Sequence, residues 1–330
     1  MAIVVGTVLS LSSAQACSGV AGAGVPVLFG DQTNIIIWDD VNHVEHFIRN
    51  ASFRSGAPDF GFIAPTPGKP ELSEASQKAF YTLAKLAPNQ YSGSGGGMGG
   101  GMGGFGGERP PEVRVIQEAD IAGYHATTVF STNTEAMYNW MKDRGYVSTP
   151  EIEEWIDRYT KKGWYLTAFK VSDKAKAAAS TGTIRMSFET ERPFNPFYVP
   201  KTNFLAGQNG TLCVYFVSTG NYDAHYGYSS QTWQTPQWTS LIPKPLADSL
   251  AQSVKLDASA IPNRPQVEEF VDSNFPRPAP DDIFFTKRPL PAPVKEDPPA
   301  PKPIPPSAFF VLASLPLLVI RRRSNQGRDR

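Results

Sequence analysis

The stretch DFGFIAPTPGKPELSEASQKAFYTLAKLAP, from Asp59 to Pro88, limits what this chain can fold into more than any other. Phe60, Phe62 and Ala64 alternate with Gly61 and Ile63, so the strand they predict is apolar on both faces. Such a strand is protected from water only inside a sheet covered on both sides. Pro65, Pro67 and Pro70 follow at once, and each locks its own φ. Ser73 is then placed to cap a helix whose Phe80, Leu83 and Ala87 share a face, with Pro88 ending it. Prolines at compatible angles reduce the entropy of the unfolded chain by roughly 0.4–1 kcal/mol each, so the joint is stiff by composition.

Elsewhere the patterning mixes both periods. NIIIW (Asn34 to Trp38) and the run from Val44 to Ile48 read as strands, as do Val113 to Ile116 and Tyr124 to Phe130. Asn133 or Thr134 caps a helix carrying Met137, Trp140 and Met141, which ends at Gly145. Thr149-Pro150 opens a second helix with an acidic start and a basic end, and Gly163 closes it. Its stripe is Ile152, Trp155, Ile156 and Tyr159. Strands are expected again at Trp164 to Val171, Thr183 to Phe188 and Thr211 to Val217. The fold class is therefore α+β, a mainly antiparallel sheet with few helices. With 41% hydrophobic residues in 330, the chain can bury a substantial core. Ser92 to Gly107 (SGSGGGMGGGMGGFGG) reads as a flexible insertion in that fold, because it has too little apolar surface to offset its chain entropy. It lacks the Lys-Ser/Thr of a phosphate-binding loop.

The two ends suggest export and anchoring. Residues 1–16 read as a signal peptide, with an apolar run from Ile3 to Leu11 and a small-x-small site at Ala14-Gln15-Ala16. No Lys or Arg precedes the run, so either the start lies upstream or the n-region is atypical. Residues 17–288 form the expected extracytoplasmic domain. A proline-rich stalk spans 289–306, and 307–320 is an apolar segment followed by Arg321-Arg322-Arg323 in a basic tail, 321–330. The segment's 14 residues make a helix of about 21 Å, short for a hydrocarbon core of roughly 30 Å, and Pro316 interrupts it. The arginines nevertheless give it a stop-transfer pattern, so a membrane anchor with a cytoplasmic tail is the expectation. The only two cysteines, Cys17 and Cys213, are expected to pair as a disulfide in an oxidising compartment, with a lipid-modified Cys17 as the rival.

Three blocks together resemble a known bacterial family, domain of unknown function 2330. They are VPVLFGDQTNIIIWDD with the Asp59–Pro88 stretch, then VRVIQEADIAGYHATTVFSTNTEAMYNWMKDRGYVSTPEIEEWIDRYTKKGWYLTAFKV, then TGTIRMSFETERPFNPFYVP. The resemblance implies an exported or envelope-attached bacterial protein. It implies no reaction, and it carries over no catalytic residue.

The chemistry-bearing residues are sparse. Lys plus Arg and Asp plus Glu both number 31, which argues against a broad electrostatic grip on nucleic acid. His43 and His46, near Asp39, Asp40 and Glu45, could suggest a metal site, but their spacing on an extended stretch points them to different faces. A solvated polar turn explains them better. His225 beside Asp223 has no nucleophile motif to serve. No catalytic residue, metal or cofactor is assigned. One stretch, Asn221 to Ser240, sets Tyr222, Tyr226, Tyr228, Trp233 and Trp238 among Ser, Thr, Gln and Asn. Such rings bind sugars or protein loops, although burial over a sheet edge is the favoured reading. The expected function is an envelope-anchored domain acting by binding or structure, with the membrane and an envelope protein or glycan as partners. The alternatives are a glycan-binding module through those rings and, third, an extracytoplasmic hydrolase using His225 or the His43/His46 region.

Overall fold

The computed structural model describes residues 18–21, 27–55, 60–88, 113–146, 149–172, 182–200 and 210–289. The described residues through Arg288 form one compact unit, and beyond it only Pro289 is described. The described residues make an α+β fold in which every strand pairing but one is antiparallel.

Strands are numbered along the chain. The largest sheet has seven: β2 (Val27–Asp39), β3 (Val44–Ser55), β5 (Glu71–Ala75), β9 (Thr183–Glu189), β11 (Gly210–Ser218), β14 (Trp238–Leu241) and β15 (Gln266–Phe275). Their spatial order is β14-β15-β11-β2-β3-β9-β5, with β2 and β11 parallel. A five-stranded sheet runs β1-β4-β8-β7-β6, built from β1 (Ser18–Ala21), β4 (Phe60–Thr66), β6 (Arg114–Ile121), β7 (Tyr124–Phe130) and β8 (Tyr165–Val171). A small sheet, β10-β16-β12-β13, uses β10 (Phe194–Asn195), β12 (Tyr222–Tyr226), β13 (Thr232–Gln234) and β16 (Ile283–Lys287). The helices are α1 (Lys78–Ala84), α2 (Thr134–Asp143), α3 (Pro150–Thr160) and α4 (Lys244–Ser253).

Period-two alternation sorts these elements into layers. On β2, Ile36 and Trp38 face one way, with Phe47 of β3 and Phe216 of β11, into a core shared with Phe62, Tyr124 and Phe169 of the five-stranded sheet and Phe284 and Phe285 of the small one. Ile35, Ile37, Ile48 and Val217 face the other way, under Phe80 and Leu83 of α1 and Leu250 of α4. The five-stranded sheet repeats the scheme: Ile63, Leu166 and Ala168 lie under Met137 of α2 and Trp155 and Ile156 of α3. Strands apolar on both faces are thus explained, because two of the sheets are covered on each side. Strand β4 lies inside its sheet, between β1 and β8. Gly61 is required there, since a Cβ would stand 1.9 Å from the Phe169 carbonyl oxygen.

The helix signals act as read. Asn133 Oδ1 accepts from Ala136 N–H at the start of α2, and Thr149 Oγ1 accepts from Ile152 N–H before Pro150. Gly145 and Gly163 follow α2 and α3 with φ of 76° and 68°, the left-handed region that glycine occupies freely. The helix expected from Ser73 is different. Glu71–Ala75 forms edge strand β5, with Leu72 opposite Met186 and packed on the core, and α1 begins only at Lys78. Burying Leu72 beside β9 outweighs the local capping preference of Ser73.

Two expectations are corrected. Among the described residues no helix is long and apolar enough to cross a membrane. The longest, α3, has 11 residues, roughly 16 Å at 1.5 Å per residue, and carries Glu151, Glu153 and Arg158. The apolar segment 307–320 lies outside the described residues, and its length and Pro316 do not supply a span on their own. The membrane anchor, the membrane partner and the anchored location are therefore withdrawn. The disulfide is withdrawn as well. Cys213 is a free thiol in β11 whose Sγ donates to Glu269 Oε1 at 3.7 Å, while Cys17 lies outside the described residues. Burial, followed by the Glu269 charge, pushes that thiol far above its usual range, so it is inert. The signal peptide, the Gly-rich insertion 92–107, the stalk beyond Pro289 and the basic tail also fall outside the described residues.

Buried carboxylates join the layers. Glu45 of β3 accepts from Phe194 N–H of β10 at 2.8 Å, and Glu268 of β15 accepts from Tyr222 N–H of β12 at 2.8 Å. Asp282, just before β16, accepts from Phe197 N–H and Tyr198 N–H at 2.8 and 2.9 Å and from the Tyr159 hydroxyl of α3. Replacing Asp282 by Ala strands these three donors in the interior. The expected cost is about 3 kcal/mol or more in urea unfolding. A loss below about 1 kcal/mol would show that this carboxylate does not tie the layers.

A polar cleft at the uncovered end of the large sheet

On the helix-covered face of the large sheet, the face turns from mainly apolar to mainly polar at Ile48. From there along β3, β9 and β5 it carries His46, Arg185, Ser187, Glu189 and Glu71, with Val44 the apolar exception on β3. Register explains the change. His46 lies opposite Ser187, Ile48 opposite Arg185, and Ser187 also opposite Glu71. Helix α4 ends at Ser253, and the chain then turns along the border of this strip through the 3-10 turn Ala258–Ala260. A cleft of about 810 Å³ remains between that border, the β2–β3 turn and the Gly68–Lys69 connection.

The floor is held by short polar contacts. His46, 7% exposed, has Nδ1 2.8 Å from Ser187 Oγ. Burial, and after it the Arg185 charge, lowers the His46 pKa to about 4, so the ring is neutral at pH 7. Arg185 is 3% exposed. Its Nη1 donates to Val254 O at 2.8 Å and to Lys255 O, and its Nη2 to Glu71 Oε1 at 2.8 Å. A guanidinium is suited to the carbonyl-rich C-terminus of a helix, so Arg185 fixes the α4 end of the border to the strands. Gly68 sets the opposite border, since a Cβ there would lie 2.5 Å from Glu189 O.

The residues singled out in the sequence fall in several places. His43 sits in the β2–β3 turn with φ of 53°, edge-on to Trp38, while His46 enters the cleft. Among the described residues no three His, Cys, Asp or Glu side chains are grouped to hold a metal. Asp223 accepts from Arg288 Nε at 2.8 Å rather than orienting His225. Tyr222, Tyr226 and Trp233 are buried in the shared core, the last donating from Nε1 to Asp272 at 3.0 Å. Trp238 is half-buried against Tyr215. Tyr228, 80% exposed, stacks on Phe284 with Arg192 over its ring. The five rings therefore do not share one surface, because they belong to three short strands and a turn.

Ser187 and Arg185 were not singled out. Their signal is the alternation in TIRMSFE, where Ile184, Met186 and Phe188 point into the core and Arg185, Ser187 and Glu189 point away from it.

The family DUF2330, described as uncharacterized protein conserved in bacteria, matches residues 11–221. No curated protein matches the chain. Among solved structures, that of baculovirus P35 is similar at a TM-score of 0.38 and 8% identity, covering 80% of this chain and 98% of that one. A mutated baculovirus P35 after caspase cleavage gives 0.32 and 8%, covering 78% and 93%. Neither fold nor function is transferred at that level of similarity.

The neutral ring makes the site's acid response predictable. Between its ordinary value of 6.5 and about 4, His46 takes up a proton in the unfolded chain but not in the folded one. Stability must therefore fall as pH drops through that window, by on the order of 2 kcal/mol. His46→Gln, measured by urea unfolding at pH 7 and pH 4.5, should lose less than wild type. An equal loss would mean that the ring is not held neutral.

Proposed function

Since the chain belongs to the DUF2330 family of uncharacterised bacterial proteins, whose description assigns no reaction, we propose from the cleft alone that it binds a small polar molecule. The observation that carries this reading is the switch of one sheet face from apolar to polar where the helix layer stops, over a cleft of about 810 Å³. That volume lies within the roughly 300–1,000 Å³ usual for small-molecule sites. A polar strip at the edge of a packed face costs stability unless water or a ligand satisfies it.

Binding is favoured over catalysis by the state of His46. A general base works best with a pKa near the working pH, and a ring at about 4 pulls weakly on the Ser187 proton. The pair serves instead as a fixed donor and acceptor set, with Arg185 holding the border. This reading includes neither a membrane anchor nor a sugar-binding surface of stacked rings.

A fragment screen by two-dimensional NMR tests it. Polar fragments should shift amide signals of β3, β9 and residues 255–260 together, and Ser187→Trp should remove those shifts while leaving the thermal transition in place. Should the tryptophan unfold the chain, Ser187→Gln gives the same partial blockage with less bulk. Fragments that bind elsewhere, or not at all, would overturn the reading.

A further inference from the structure

The charges around the cleft divide into those already matched and those left open. Arg185 is paired with Glu71, and the Asp39 carboxylate is held in its own turn by Val41 N–H and by the Asn42 backbone and side-chain N–H groups. Lys255 reaches Glu74 at 3.5 Å. Three charged heads lining the cleft have no hydrogen bond or ion pair from their side chains among the described residues: Lys69 and Glu189 on the Gly68 side, and Asp257 on the opposite border. Beneath them, the buried Arg185 side chain also has its Nε without a partner.

We propose that the ligand is a zwitterion of the amino-acid or short-peptide class, with a free ammonium and a free carboxylate. The proposal rests on the reading of the cleft as a binding site and specifies its chemistry. A simple anion entering here would meet Glu189 and Asp257 with no compensating charge of its own. A simple cation would meet Lys69, Lys255 and Arg185. A ligand carrying both signs satisfies Lys69 with its carboxylate and an open carboxylate with its ammonium, and charge-assisted contacts of this kind are the strong ones. The floor suits what lies between the two ends of a peptide. The neutral His46 ring and the Ser187 hydroxyl offer a donor and an acceptor to an amide and add no charge that would favour either sign. The volume admits a ligand of several residues rather than a single small ion.

Calorimetric titration of the full chain at neutral pH with trialanine tests this, alongside N-acetyl-trialanine, trialanine amide, succinate, putrescine and maltotriose. Trialanine should bind, and capping either end should weaken it about tenfold or more. Lys69→Ala should remove the penalty for amidating the carboxylate. The double variant Glu189→Gln/Asp257→Asn should remove the penalty for acetylating the amine. All three residues are exposed, so folding is not at stake. Equal affinity for the capped peptides overturns the proposal, as does binding of succinate, putrescine or maltotriose with trialanine silent. Silence of all six probes also overturns it, while fragment binding at β3 and β9 would leave the cleft itself standing as a site.

Discussion

The architecture depends on a set of carboxylates that are buried and bonded to the backbone of another layer. Glu45 and Glu268 project from the large sheet into the shared core and accept N–H groups from the small sheet, and Asp282 accepts two N–H groups and the Tyr159 hydroxyl of α3. Asp272 adds a bond from Trp233 and an ion pair with Arg277. Burial raises the pKa of Glu45, Glu268 and Asp282, with Glu268 reaching about 7, so these acids resist ionisation more than surface carboxylates do. Apolar packing between sheets is non-directional and tolerates sliding. A carboxylate bonded to one particular N–H does not. These contacts therefore fix how the short strands of the small sheet sit on the large one.

The cleft is the by-product of the same arrangement on the opposite face. Helices α1 and α4 cover the large sheet only as far as their lengths reach, and the strands continue past them. Arg185 holds the border there by donating to the Val254 and Lys255 carbonyls just past α4. One side chain thus joins the chain after α4 to Glu71 and frames the polar floor beside it.

Much of the fold was legible in local pattern. NIIIW, the two-sided FGFIA strand and the caps at Asn133 and Thr149 are signals in which neighbouring residues carry the whole argument, because alternation and capping act over two to four positions. Ser73 misled because its capping preference is small beside burial of Leu72 at a sheet edge, which depends on β9 more than a hundred positions away. The anchor and the disulfide rested on composition and compartment rather than on any contact. The aromatic stretch from Asn221 to Ser240 left burial and an exposed binding surface both open in the sequence; Tyr222, Tyr226 and Trp233 enter the shared core, while Trp238 packs on Tyr215 and Tyr228 lies on the surface against Phe284.

The sequence by itself determined which segments extend, which coil, and which faces must leave water, since those properties follow from side-chain period and backbone preference within each segment. Only the tertiary structure decided that His46 meets Ser187, 141 positions later, and that Arg185 reaches the end of α4. Those contacts come from strand order and register, β3 beside β9 beside β5. A shift of one residue in register would turn each of these side chains to the other face. Which polar residues share a site is a property of the pairing, and the pairing is set by how the layers close on one another.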